Sequence, residues 1–207
     1  MIKPGRNPFI FAFFDAYIMR IVRRHFREVL FSPLKMTGNR SVLLLANHFS
    51  WWDGFLFWYL NKKMLKRRFH VMVLEETLRK QRFMRHLGGF SIGRAPGHMR
   101  DSMRFAASLL EQPGNLVLIF PQGKIHSNFI QDIRFMRGVE HIVAHAGTDF
   151  HYVFASVFTE HLQYPKPSAW IALEQHPATE FSSAKELESA FHVHHASARQ
   201  KQEHYQA

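Results

Sequence analysis

Two short, wholly apolar runs constrain this chain more than anything else in it: Ser41-Val-Leu-Leu-Leu-Ala46 and Asn115-Leu-Val-Leu-Ile-Phe120. Each is too short for a core helix, and each follows a turn signal, Gly38-Asn39 before the first and Pro113-Gly114 before the second. Successive strand residues point to opposite faces, so an unbroken apolar run predicts a strand covered on both sides, as in a parallel sheet carrying helices. Residues 69–74, 90–92, 150–159 and 169–173 read as further strands, and residues 52–64, 76–87, 98–111 and 138–146 as helices. The expected fold is α/β, a single domain with a mixed, mostly parallel sheet flanked by helices. No repeat or linker divides the 207 residues. Residues 1–35 read as an amphipathic leading segment, 36–181 as the α/β body, and 182–207 as a polar helix or tail, rich in His, Gln and Ala and expected to lie at the periphery.

Charge narrows the choice of partners. The formal net charge is +11 with 15 histidines besides, which points to a polyanion: nucleic acid, an anionic membrane surface or a phosphorylated substrate. Residues 1–40 carry eight Lys/Arg against Asp15 and Glu28; residues 61–104 carry twelve against Glu75, Glu76 and Asp101; the half beyond is mildly acidic. Zinc-finger spacing, RRM-type aromatics and zipper heptads are all missing, so nucleic acid is not the expected partner. The chain has no cysteine, which excludes disulfides, thiolate metal sites and a cysteine nucleophile.

The leading segment is too short to span a bilayer and is interrupted by Asp15. Read as a helix over residues 8–30, it gathers Phe11, Phe14, Ile18, Ile21, Val22, Val29 and Leu30 on one side and Arg20, Arg23, Arg24 and Arg27 on another. Such a helix suits a membrane interface, with apolar groups at the acyl boundary and arginines at anionic headgroups. The alternative is a core-packing helix with a solvated basic face. Lys62, Lys63, Lys66, Arg67 and Arg68 divide similarly between donor phosphates, a carrier protein, anionic lipid and plain solvation.

Chemistry gathers where the strands end. Asn47-His48-Phe-Ser-Trp-Trp-Asp53 follows the first apolar run, at a strand-to-helix junction of the kind in which α/β sheets build sites. A histidine there suits general-base work on a hydroxyl, and a carboxylate accepting its other ring N–H fixes the tautomer. A His-x4-Asp spacing also arises by chance in a chain with 15 histidines, as a capping Asp beside a packed His. No Gly-x-Ser-x-Gly nucleophile elbow is present, so a base acting directly on a substrate hydroxyl fits better. His192, His194 and His195 lack the carboxylate arrangement of a metal site, and no metal is expected.

Three further stretches follow in order: Gly88-Gly-Phe-Ser-Ile-Gly-Arg94, Phe120-Pro121-Gln122-Gly123-Lys124, and Phe135-Met-Arg-Gly138. Together with Asn47, His48 and Asp53, they make the chain resemble the glycerolipid acyltransferase family, the lysophosphatidate-acyltransferase-like enzymes of phospholipid synthesis. That family's motifs read Asn-His-x4-Asp, then Gly with an aromatic-rich stretch and Arg, then Phe-Pro-Glu-Gly-Thr-Arg-Ser, then Phe-Lys-x-Gly, and they fall in register over about residues 38–160.

The resemblance implies a membrane-associated O-acyltransferase on the cytoplasmic face, with 36–181 as its catalytic body. His48 would deprotonate a lipid hydroxyl, Asp53 would orient it, and Asn47, Arg94, Phe120, Pro121, Gln122, Gly123 and Lys124 would contact substrate. The acyl donor would be acyl-CoA or acyl carrier protein, with no cofactor and no metal. The third motif departs from the family at Gln122 for Glu, Lys124 for Thr and Ile125 for Arg; Gly93 replaces the acidic or amide residue before Arg94, and Tyr152-Val-Phe-Ala155 lacks the family's late proline. These changes leave the acceptor open between a 1-acylglycerol-3-phosphate and another hydroxylated lipid, such as a glycolipid, aminolipid or carotenoid glycoside. They also leave open a catalytically inactive lipid-binding relative.

Overall fold

The computed structural model describes residues 1–36, 38–93 and 95–204. Within them seven strands form one sheet in the order β1-β7-β6-β2-β5-β3-β4: β1 Glu28–Phe31, β2 Ser41–Ala46, β3 Arg68–Leu74, β4 Gly89–Ile92, β5 Asn115–Ile119, β6 Phe150–Glu160 and β7 Ser168–Pro177. The five strands from β6 to β4 run parallel, β7 returns antiparallel to β6 as a hairpin, and β1 lies parallel to β7. The fold is therefore the mixed, mostly parallel α/β sheet that the apolar runs imply.

Every residue of β2 is buried, flanked by β5 on one side (Leu43 opposite Val117) and β6 on the other (Leu43 opposite Tyr152). Its side chains alternate between two cores. Val42, Leu44 and Ala46 join Ile18 and Val22 of α1 (Pro8–His25) and Leu56, Phe57 and Leu60 of α2 (Asp53–Leu60). Leu43 and Leu45 join α4 (Pro96–Leu110), α5 (Gly138–His145) and α6 (Ala184–Glu203), through Met103, Ile142, Leu187 and Phe191 among others. Side chains of this size bury about 1.5–3 kcal/mol each, so the two cores clamp the central strand from both faces.

Several elements depart from the sequence reading. The first helix stops at His25 instead of running to residue 30. Phe26 turns extended and buried, Arg27 donates its N–H to the Pro167 carbonyl, and Val29 and Leu30 enter edge strand β1. The side bearing Ile18 and Val22 therefore faces protein, and the exposed aromatics of α1 are Phe9, Phe11, Phe13 and Tyr17. Residues 52–64 form α2 followed by a π turn, Asn61–Leu65, closed by Lys66 at φ +52° and by the Asn61 amide bridging both backbone groups of Arg67.

Residues 76–87 are broken at Gln81 into α3 (Glu75–Lys80) and a 3₁₀ segment, Arg82–Leu87. That segment ends at Gly88, φ +94°, where a Cβ would lie 1.9 Å from the Phe69 carbonyl oxygen, so only glycine fits. The polar tail is helix α6, and it is not peripheral: Leu187, Phe191, His194, His195 and Ala198 are buried along one stripe.

Candidate active site at the carboxyl ends of the strands

Where β2 ends, the chain turns into α2 through Asn47–Trp52, and this turn carries the His-x4-Asp pair. His48 Nδ1 and Asp53 Oδ2 lie 2.6 Å apart. The same carboxylate oxygen accepts the backbone N–H groups of Phe49 (2.8 Å) and Ser50 (3.0 Å), and Ser50 Oγ accepts the Trp52 N–H. Asp53 thus folds the turn and holds the imidazole with one atom. Its side chain is completely buried at the positive end of α2, while that of His48 keeps 22% of its surface in solvent. Burial raises the Asp53 carboxyl above its ordinary range, opposed by the bonds from His48, Ser50 and Phe49; its Oδ1 has no hydrogen-bond partner among the described residues.

The β5 loop presses on the histidine from the other side. Phe120 stacks on the imidazole at 4.1 Å between ring centroids and 17° between planes. Gln122, nearly buried, accepts the His48 backbone N–H at 2.7 Å, and the His48 carbonyl accepts the His126 N–H at 2.9 Å. Gly123 turns at φ +71°, and a Cβ there would lie 2.1 Å from Met136 Sδ; the Met136 N–H in turn bonds the Pro121 carbonyl. With Nδ1 bonded to a buried carboxylate, the imidazole presents Nε2, which has no partner among the described residues. A partly exposed imidazole bonded through Nδ1 to a buried carboxylate has the geometry that general-base chemistry requires.

A profile of the family described as Acyltransferase matches residues 22–157. The chain belongs to the acyltransferase family. It is an enzyme of that class, and the His48 turn and the Gln122 loop both lie inside the matched region. A search of curated proteins finds no match. Among solved structures, the 1-acyl-sn-glycerophosphate (LPA) acyltransferase PlsC from Thermotoga maritima shares the fold, with a TM-score of 0.70 at 15% identity over 95% of this chain and 81% of that one.

Against that family background, the residues expected at the site separate. His48, Asp53, Phe120, Pro121, Gln122 and Gly123 are brought together, and Lys124 extends from the same loop into solvent. Arg94 lies outside the described residues. Asn47 departs from the expected substrate contact: it is buried, and its amide bonds both the carbonyl (3.0 Å) and the N–H (2.7 Å) of Val157, pinning β2 to β6.

The basic run 62–68 sits at the opposite end of the strands from His48, where Lys62 pairs with Asp15 at 2.9 Å and Arg67 bonds Asn39. Trp52 packs among His25, Phe26 and Phe55, whereas Trp51 is exposed. Met136, which the sequence marks only through its place in the Phe-x-x-Gly element, packs against Gly123. Among the described residues no group of three or more His, Asp or Glu converges as a metal site.

Proposed function

We propose that this acyltransferase moves a fatty acyl group from acyl-CoA or acyl carrier protein to the hydroxyl of a membrane lipid of the 1-acylglycerol-3-phosphate type. His48 Nε2 takes the proton of the acceptor hydroxyl as its oxygen attacks the thioester carbonyl; the tetrahedral intermediate then collapses, expelling the thiolate, which recovers a proton. Asp53 positions the imidazole and stabilises the imidazolium formed in the step. No cofactor or metal takes part. The observation that carries this reading is the 2.6 Å His48–Asp53 contact, which leaves Nε2 open at the mouth of a turn held by Gln122. Lys124, exposed in the same loop as Gln122, serves the acceptor's polar head.

Membrane association is supported by the outward aromatics of α1 and by the exposed Arg20, Arg23 and Arg24 further along the same helix, and the cytoplasmic face is where such donors reside. Among the described residues no helix is long and apolar enough to cross a membrane. A second reading, an acceptor lacking the phosphate, is favoured by Ile125, an exposed apolar side chain where the third motif of the resembling family has Arg.

Thiol release from long-chain acyl-CoA and from acyl carrier protein, with lysophosphatidate or a total lipid extract as acceptor, tests these readings. Release with lysophosphatidate supports the first, and release only with the extract supports the second. Silence with both donors and both acceptors overturns acyl transfer to lipid.

A further inference from the structure

A cavity of about 610 Å³ opens at the end of the sheet away from His48. Its walls come from the end of α5, the first residues of β6 and the turn between β7 and α6. Because β6 runs parallel to β2, Phe150 stands opposite Ser41 and Tyr152 opposite Leu43. Both therefore lie roughly 15–20 Å back along the strands from His48. The cavity shares no lining residue with the His48 turn or the Gln122 loop. Its size falls in the range of small-molecule sites, about 300–1,000 Å³, which are mostly apolar with a few placed polar groups.

Tyr152 lines this cavity and is only 1% exposed. Phe150 and Phe181 cross its ring edge-on, at 4.9 and 5.6 Å between centroids. The ring is packed, yet the Tyr152 hydroxyl has no hydrogen-bond partner among the described residues. Buried tyrosines ordinarily satisfy that group. Burial pushes Tyr152 up to about 12, so the hydroxyl stays protonated and offers a donor. Val143, Ala146 and Ala178 complete an apolar wall beside the three rings. The mouth differs from the floor. Helix α6, 20 residues long, begins there with Ser183 as its cap and Lys185 exposed, so the positive end of a helix and an ammonium group share one rim. The Glu186 carboxylate is turned onto the Ser182 N–H and hydroxyl. Glu140 of α5 also lines the cavity, exposed, and opposes a second negative charge.

We infer that this cavity is a second binding site, for a small monocarboxylate with an apolar body and a hydroxyl or carbonyl oxygen at its far end. The carboxylate meets Lys185 and the start of α6, the body lies among Phe150, Phe181 and Val143, and the far oxygen accepts the Tyr152 hydroxyl. Glu140 limits the ligand to a single negative charge, which disfavours a phosphate monoester. The site is independent of the His48 chemistry.

Calorimetric titration of the full chain with hexanoate, octanoate and decanoate, each paired with its ω-hydroxy counterpart, tests the site. In at least one pair the hydroxy acid should bind the unsubstituted protein about fivefold tighter, the worth of one added hydrogen bond. Tyr152→Phe should abolish that preference while leaving the affinity for the plain acid unchanged. Lys185→Ala should weaken both acids of the pair by a similar factor. Tyr152→Phe should also melt no lower than the unsubstituted protein, because the hydroxyl it removes is unsatisfied within the fold.

The inference is overturned if no acid binds, if the two members of every pair bind equally, or if the preference survives Tyr152→Phe, which would put the ligand elsewhere. Unchanged affinity in Lys185→Ala overturns the placing of the carboxylate. A clear drop in Tm for Tyr152→Phe overturns it as well, since the hydroxyl would then have a partner in the fold. Acyl transfer enters none of these readouts, so their failure leaves the His48 reading standing, and the loss of that reading leaves the cavity's test intact.

Discussion

His48 and His195 each make a short polar contact, His48 with Asp53 at 2.6 Å and His195 with Ser156 at 2.9 Å, and each lies against a phenylalanine ring, Phe120 in one case and Phe158 in the other. Their surroundings differ. His195 is sealed between α6 and the β6–β7 hairpin, beside His194, which is itself bonded to Glu174. His48 sits on a turn at the open end of a parallel strand, with a buried carboxylate behind it and a free nitrogen in front. Burial lowers His195 to about 4, which keeps it neutral and makes it a packing group hydrogen-bonded to Ser156 and to the Ile130 backbone. A polar pair becomes a site when one of its atoms faces out and the other is anchored; sealed on all sides, the same chemistry is a strut.

Asp53→Asn offers the largest way to break this comparison. The amide no longer fixes the Nδ1–H tautomer or stabilises the imidazolium, and kcat should fall by roughly 10²–10⁴-fold with KM little changed. Steady-state acyl transfer measures both; a fall in kcat/KM arising only through KM would remove Asp53 from the step.

The sealed histidine should answer in stability alone. His195→Ala leaves the Ser156 hydroxyl buried without its partner and opens a cavity, at a cost of about 3 kcal/mol in urea unfolding with kcat unchanged.

Acid sharpens the same contrast. A histidine held near 4 in the folded chain binds fewer protons than its unfolded counterpart, whose ordinary value is 6.5. Stability is therefore full above about pH 6.5 and drains away as pH falls towards 4, with His70, also lowered by burial to about 4, contributing in the same sense. His195→Asn, which keeps an amide for Ser156 without titrating, should remove about 3 kcal/mol of that loss at the bottom of the window. Urea midpoints across the range test it, and an unchanged slope would contradict it.

The smallest effect concerns Gln122. Because its amide oxygen receives the His48 N–H, Gln122→Ala should cost about tenfold in kcat by loosening the turn, and Gln122→Glu, which accepts the same bond, should restore most of it. Loss in both variants would mean that the amide group itself is needed.

The central strands and the His48–Asp53 turn were legible because local features determine them: an apolar run wants two covered faces, and a five-residue spacing puts both side chains on one turn. What escaped the sequence depended on distant partners. Strand β1 is four half-buried residues that look like more helix; the edge of β7, some 140 residues away, makes them a strand. The buried stripe of α6 is readable at 187, 191, 194, 195 and 198 only if two histidines are counted as core, which their sealing under the hairpin decides. Asn47 reads as a substrate contact only through the resembling Asn-His-x4-Asp motif, and its amide is spent on β6. Gln122 looked like a lost charge, while its place in the fold shows a hydrogen bond that a carboxylate or an amide makes equally well.

The central claim is that His48, on its open turn, performs the proton transfer. Its most direct test is single-turnover transfer of a labelled acyl group by the unsubstituted enzyme and by His48→Ala, each paired with a thermal melt. The account predicts a loss of about 10²–10⁴-fold with Tm little changed, since the His48 side chain is partly exposed and the N–H groups of Phe49 and Ser50 still hold the Asp53 carboxylate without its ring. Transfer by His48→Ala at a rate near that of the unsubstituted enzyme would contradict it.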